Sequence, residues 1–267
     1  MRPAAAAAKM APMDAHTAIR PVALVTGAGR TSNIAAATAR TLAAHGWDVA
    51  FTYYRPYDAR MPWGAEEGAA RALHAAITDH GVRALGVEAD LADPQAPARL
   101  MDTVTERLGP ATALVLAHCE SVDSGLLETT LDSFDRHFAV NTRAAWLLIR
   151  EYALRLQAPH GAGRIIALTS DHTAHNLPYG ASKGALERIT LAAATELAHL
   201  GVSANALNPG PVDTGWMSAE LAEHLRSATP LGRLGTPQDC ADLIGFLCSP
   251  RGGWVNGQLI ASNGGLS

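Results

Sequence analysis

Pro21-Val22-Ala23-Leu24-Val25-Thr26-Gly27-Ala28-Gly29 decides how this chain is read. A short apolar run with β-branched residues ends at a turn carrying two glycines. An alanine-rich stretch of helical period, Ala35–His45, follows and stops at Gly46. Strand, glycine turn and helix in that order open a βαβ unit. The alternation continues outward. Further strands are predicted at Asp48–Tyr53, Ala84–Glu88, Ala113–Ala117, Arg164–Thr169 and Ser203–Leu207, with a short seventh at Gln258–Ala261. Segments rich in alanine and leucine fill the gaps. Strands that alternate with helices are joined by crossovers, which makes the sheet parallel. The expected fold is therefore α/β, a single-domain Rossmann-type doubly wound parallel sheet of about seven strands. Ligands of such sheets bind beyond the carboxyl ends of the strands, so functional residues are expected just after strands.

The bulk composition agrees. The 267 residues suit one such domain. With 48% hydrophobic and 17% charged residues the chain can bury a full core, which excludes global disorder. The formal net charge is −4 and no basic block occurs, so neither nucleic acid nor an anionic membrane is expected as a partner. The three cysteines, Cys119, Cys240 and Cys248, form no CxxC pair and no Cys/His metal spacing. They read as reduced thiols, with no metal site, in a cytoplasmic protein. Residues 1–20 read as a flexible tail without the apolar core of a signal peptide, and 21–267 as the domain. No run approaches the length of a membrane span.

Three segments carry chemistry. In the glycine turn, residues without bulk let the backbone approach a pyrophosphate, and the following helix N-terminus supplies free N–H groups. The turn departs from GxGxxG, because Ser32 stands where the third glycine belongs. In Tyr179-Gly180-Ala181-Ser182-Lys183, positions i and i+4 of a helix share a face, so phenol and ammonium point the same way. An ammonium there is expected to lower the phenol from its ordinary value of about 10, giving an acid or base usable near neutrality. Ser170, at the end of the fifth strand, places a hydroxyl where it can polarise a substrate oxygen.

Together these segments resemble the short-chain dehydrogenase/reductase family. Asn141, in Val140-Asn141-Thr142, with Ser170, Tyr179 and Lys183 resembles the complete catalytic tetrad in order. The resemblance implies that Asn141 holds a water linking the lysine to solvent, and that Lys183 also bonds the nicotinamide ribose. The glycine turn is similar to the divergent one of bacterial enoyl-acyl-carrier-protein reductases: Gly27, five residues, then Asn33-Ile34-Ala35. Asp90-Leu91 resembles the adenine-contacting pair. Pro209-Gly210-Pro211-Val212-Asp213-Thr214 resembles the turn that supports the nicotinamide. Pro230 through Gly265 looks like the close of 3-oxoacyl-acyl-carrier-protein reductases. One motif is missing: where the family carries Asn-Asn-Ala-Gly, this chain reads Leu116-Ala117-His118-Cys119. Cys119 adds bulk beside the expected cofactor, and His118 is expected to offer a compensating bond to ribose or substrate.

The implied activity is hydride transfer between a nicotinamide coenzyme and a small-molecule carbonyl/alcohol pair. The expected coenzyme contacts are Gly27, Arg30, Asn33, Ile34, Tyr53, Arg55, Asp90, Leu91, Ala117, His118, Tyr179, Lys183, Pro209, Gly210, Val212 and Thr214. The end of the second strand, Thr52-Tyr53-Tyr54-Arg55, carries no acid for a ribose diol, and Arg30 and Arg55 are placed to pair a 2′-phosphate. NADP(H) is therefore expected over NAD(H). A homotetramer or homodimer through the helices of Asn141 and Tyr179 is implied too, with Leu191-Ala192-Ala193-Ala194 allowing close approach. Two other readings stand beside this one. An enoyl reductase is suggested by the glycine turn but opposed by its six-residue Tyr–Lys spacing, since position 176 here is Asn. A dinucleotide-binding protein without turnover is suggested by the lost motif. Among lesser features, residues 55–65 read as a surface insertion rather than a flap over the adenosine end. His172 and His175 read as inert loop residues, Trp216 and Met217 as lid or core, and Glu120 and Asp123 as solvent-facing.

Overall fold

The computed structural model describes residues 20–266. The flexible tail expected at residues 1–20 lies, but for Arg20, outside the described residues. Seven strands form one sheet: β1 Val22–Val25, β2 Asp48–Tyr53, β3 Ala84–Glu88, β4 Ala113–Leu116, β5 Gly163–Leu168, β6 Val202–Asn208 and β7 Leu259–Ala261. Their order is β3-β2-β1-β4-β5-β6-β7. Every pairing is parallel, with Leu24 opposite Ala50 on one side and Leu114 on the other. The order reverses between β1 and β4, and a crevice opens there at the carboxyl ends.

Both faces are covered, which is why the central strands β1, β4 and β5 are buried at every position. On one face lie α1 Ile34–Ala44, α3 Ala69–Thr78 and α9 Pro237–Cys248, packing Leu42, Leu73 and Ile244 on Val25, Phe51 and Val115. On the other lie α4 Ala96–Arg107, α6 Ala144–Arg155 and α7 Leu177–Glu196, packing Met101, Leu148 and Leu186 on Leu24, Leu114 and Ile165. The remaining helices are α2 Arg55–Arg60, α5 Leu131–His137 and α8 Ala219–Ala228, the last exposed along its length. None of the described helices is long and apolar enough to cross a membrane.

Two sequence expectations change here. The helix carrying Asn141 is not continuous. Between α5 and α6 the backbone widens into a π-helical stretch, Phe138–Arg143. Such a stretch shifts the side-chain phase and is frequent at functional sites. Residues 55–65 are not a featureless surface insertion either. Arg55 and Pro56 open α2, where proline at the first turn lacks only an N–H that would be unpaired anyway. Asp58 within it is buried.

Candidate active site

The crevice is built on a clasp between the exits of β1 and β4. Gly27 has φ +85°, and a Cβ there would stand 2.7 Å from the backbone N and Cα of His118. Only glycine fits a left-handed turn pressed on a neighbouring strand. The buried Thr26 hydroxyl receives the Ala117 N–H at 3.0 Å and meets His118 Nδ1 at 2.7 Å. His118 Nε2 lies 3.0 Å from the Val140 carbonyl. Both ring nitrogens are therefore engaged inside the protein, leaving none for the ribose or substrate bond expected from the sequence. Burial pulls this imidazole down to about 3, so it is neutral, with Nε2–H donating to Val140.

Asn33 closes the glycine turn. Its Nδ2 donates to the Gly27 carbonyl at 2.8 Å, and its Oδ1 caps α1 by accepting the Ala36 N–H at 2.8 Å. Ile34 is the first residue of α1. Arg30 does not reach toward Arg55. Its Nη1 donates to the Thr214 carbonyl at 2.9 Å, which ties the glycine turn to the turn after β6. Arg55 is exposed and has no ion pair among the described residues; its backbone N–H donates to Glu88 Oε1 at 3.2 Å. Tyr53 ends β2 half-buried, and Leu91 is buried. Asp90 Oδ1 accepts from the Ala92 N–H at 2.9 Å and from Arg136 at 3.4 Å.

The proton-handling group lies at the carboxyl end of β5. Ser170 follows that strand, and its hydroxyl bears on the Tyr179 phenol. Lys183 is buried, with Nζ donating to the Leu168 carbonyl at 2.7 Å and lying 5.7 Å from the centre of the Tyr179 ring. Burial works against the expected depression of the phenol by the ammonium. Burial raises Tyr179 well above the ordinary tyrosine value, and the nearby Cys119 raises it further, while Ser170 opposes them. Burial also lowers Lys183. Both groups are thus held toward their uncharged forms. Cys119 stands among them, its thiol raised by burial against the lowering influence of Lys183.

Asn141, fully buried on the π-helical stretch, spends its amide on the β4 exit. Its Oδ1 accepts the Glu120 N–H at 2.7 Å, and its Nδ2 donates to the Glu120 carbonyl and the Ser182 hydroxyl, each at 2.9 Å. It therefore sets the position of residues 119 and 120 beside Tyr179. Glu120 does not face solvent as expected. It is 3% exposed, paired with Arg60 and with Arg136 at 3.3 Å. Sequence reading missed it because both partners come from distant segments. Asp123 is exposed, and takes the Asn176 Nδ2–H at 2.5 Å.

The remaining candidates line the rim. Gly210 has φ +60°, and a Cβ there would meet Asn263 Cβ at 2.3 Å. Pro209 is half-buried, while Val212 and Thr214 are buried. Trp216 is half-exposed, so it is no core contact, and His172 and His175 are exposed. Asn176, buried at the start of α7, has an Oδ1 without a hydrogen-bond partner.

This arrangement has relatives. The family model described as enoyl-(acyl carrier protein) reductase matches residues 27–267. The chain is 35% identical over 250 residues to "Uncharacterized oxidoreductase YjdA" of Bacillus subtilis, covering 92% of this chain and 96% of the relative. It is 34% identical over 261 residues to "NADPH-dependent aldehyde reductase 2, chloroplastic" of Arabidopsis thaliana, covering 91% and 93%. Among solved structures, a blue fluorescent protein from a metagenomic library, in complex with NADPH, superposes with a TM-score of 0.83 at 34% identity, covering 92% of this chain and 98% of that one. The chain belongs to the short-chain dehydrogenase/reductase family, a family of oxidoreductases.

Proposed function

We propose that this protein is an NADP(H)-dependent carbonyl reductase acting on a small ketone or aldehyde. The observation that carries the reading is the group formed by Ser170, Tyr179 and Lys183 at the carboxyl end of β5, facing the β1–β4 crevice. A nicotinamide dinucleotide suits the crevice. Gly27 makes the tight turn at the switch point, the capped N-terminus of α1 presents a dipole to a pyrophosphate, and Arg55 offers an exposed cation at the end of β2. Pro209–Thr214 and Lys183 would hold the nicotinamide end. When bound, the coenzyme supplies the hydride. The chain's own residues manage the oxygen. Ser170 donates a hydrogen bond to the substrate carbonyl, and Tyr179 delivers its phenolic proton as negative charge develops there. Lys183 stands behind Tyr179, and Asn141 positions the β4 exit against it.

A panel of ketones, aldehydes, alcohols and enoyl thioesters, each with NADPH and NADH and followed at the nicotinamide absorbance, tests the assignment. Turnover of enoyl thioesters alone would favour the enoyl reductase reading, which the description of the matching family model supports. The spacing of Tyr179 and Lys183, with three residues between them, opposes it. Saturable coenzyme binding with no turnover across the panel would favour the binding-protein reading.

The coenzyme preference has its own test. Arg55→Ala is expected to weaken NADPH binding about tenfold, as loss of one charge-assisted phosphate contact does, and to leave NADH binding unchanged. Fluorescence titration of both coenzymes checks this; equal weakening of the two would remove Arg55 from the 2′-phosphate.

The pH dependence follows from Tyr179. Because burial raises the phenol, it stays protonated through and beyond neutrality. Reduction needs the protonated form, so its rate is expected to stay level from about pH 6 to about pH 9. Alcohol oxidation needs the phenolate, so its rate is expected to climb with pH across that range, by up to about tenfold per unit. A profile of kcat/KM in both directions measures the difference. A reduction rate that falls away from neutrality would mean that Lys183 lowers the phenol after all.

A further inference from the structure

Residues 55–64 leave the end of β2 and cross the crevice instead of following its edge. Their side chains grip both of its walls. On the β1 side Asp58 is buried, and a Cβ on Gly29 would stand 2.2 Å from its Oδ2. Its carboxylate accepts the Trp63 Nε1–H at 3.0 Å and lies 4.0 Å from Arg30 Nε. The Arg30 guanidinium in turn sits 4.6 Å over the Trp63 ring. On the β4 side Arg60 pairs with buried Glu120, which Arg136 holds from behind and whose backbone Asn141 clasps. Tyr57 fills the middle, 5.1 Å from the Arg60 guanidinium and 6.3 Å from the Trp63 ring.

Asp58 therefore occupies the place of an anion. It covers Gly29 of the phosphate-binding turn and neutralises Arg30, the one cation of that turn. A phosphate cannot take the same position while the carboxylate is there, for both steric and electrostatic reasons. Burial raises this carboxyl above its ordinary value, the mark of an acid held where water would suit it better. The contacts of Trp63 and Arg30 and the distant Arg60–Glu120 pair hold it down.

We propose that residues 55–64 are a latch that closes the coenzyme crevice in the free protein. Asp58 holds the place of a cofactor phosphate, and Arg60 bound to Glu120 fastens the segment across the crevice. The proposal rests on the coenzyme reading given above. Binding of NADP(H) displaces Asp58 from Gly29 and frees Arg60. The free protein is then a mixture of a dominant closed form and a minor open one, and the coenzyme selects the open form. Anything that weakens the latch raises the competent fraction, and with it the apparent association rate and affinity.

Stopped-flow mixing with NADPH, read by coenzyme fluorescence and tryptophan quenching, compares the wild type with Arg60→Gln and Asp58→Asn. Each variant is expected to associate about tenfold faster and bind correspondingly tighter, with dissociation nearly unchanged. Wild-type association rates in both variants would overturn the proposal and make the segment a fixed wall. Binding by the variants but not by the wild type would support it in its strongest form. If neither NADPH nor NADH binds wild type or variants, the coenzyme reading fails and the latch with it. That outcome is distinct from binding at unchanged rates. Limited trypsin digestion of the wild type provides a test that needs no variant. NADPH is expected to speed cleavage after Arg60, because the freed segment becomes accessible, whereas protection of that bond by NADPH would overturn the proposal.

Discussion

Tyr179→Phe is expected to lower carbonyl reduction by about a hundred- to ten-thousand-fold, the range that a positioned general acid supplies. The substitution removes one oxygen and leaves the ring. Ser170 bears on the hydroxyl that is lost, and the buried ring that packs the site remains. Coenzyme affinity by titration and the melting temperature are expected to match the wild type. The loss is expected mainly in kcat, since the missing proton matters as charge develops on the substrate oxygen. Near-full turnover by the phenylalanine variant would move proton delivery elsewhere. Of the other groups near the crevice, His118 has both nitrogens engaged, so it is no ready substitute.

Gly27→Ala carries the largest expected effect on stability. Two penalties combine. The residue sits at φ +85°, where a Cβ costs about 1–2 kcal/mol. The added carbon would also stand 2.7 Å from the His118 backbone, which belongs to the exit of β4 and cannot rotate away as a side chain can. Overpacking of that kind costs about 1–3 kcal/mol more. A total of about 2–5 kcal/mol is a large part of the stability of an ordinary domain. Chemical denaturation of the variant against Gly46→Ala separates the terms. Gly46 has φ +83°, and a Cβ added there would meet nothing within 4 Å, so it reports the backbone penalty alone. Equal losses at the two positions would mean that the β1–β4 clasp yields.

The contrast between what could be read from the residues and what could not has a physical basis. The central strands β1, β4 and β5 were legible because they are buried at every position and read as largely apolar runs. Helix α1 was legible from its period and its stop at Gly46. The order of Asn141, Ser170, Tyr179 and Lys183 was legible because Ser170 follows a strand, Tyr179 and Lys183 share one helix face, and Asn141 lies in the recognisable Val140-Asn141-Thr142. Helix α2 was not. Its six residues have no amphipathic period, and what holds them comes from Gly29, Arg30 and Glu120, far away in the chain. Glu120 was misread for the same reason. A lone glutamate after a strand carries no mark of the two arginines, at 60 and 136, that let it be buried. The direction of Arg30 was equally hidden, since Thr214 reaches it from across the crevice. The upward push of burial on Tyr179 was hidden too, because helical spacing places two side chains on one face without reporting how dry that face is.

The turn after β6 has a consequence for how the crevice could come apart. Gly210 packs against Asn263, the Ser262 N–H donates to the Asn208 carbonyl at 2.8 Å, and β7 pairs only with β6 at the sheet's edge. One wall of the crevice is therefore buttressed by a short edge strand and the residues just after it. β1 to β5 can pair and clasp without that strand, but the wall formed by Pro209–Thr214 then has no backing. Detaching β7 would thus leave the β1–β4 clasp in place and let the crevice gape from its other wall.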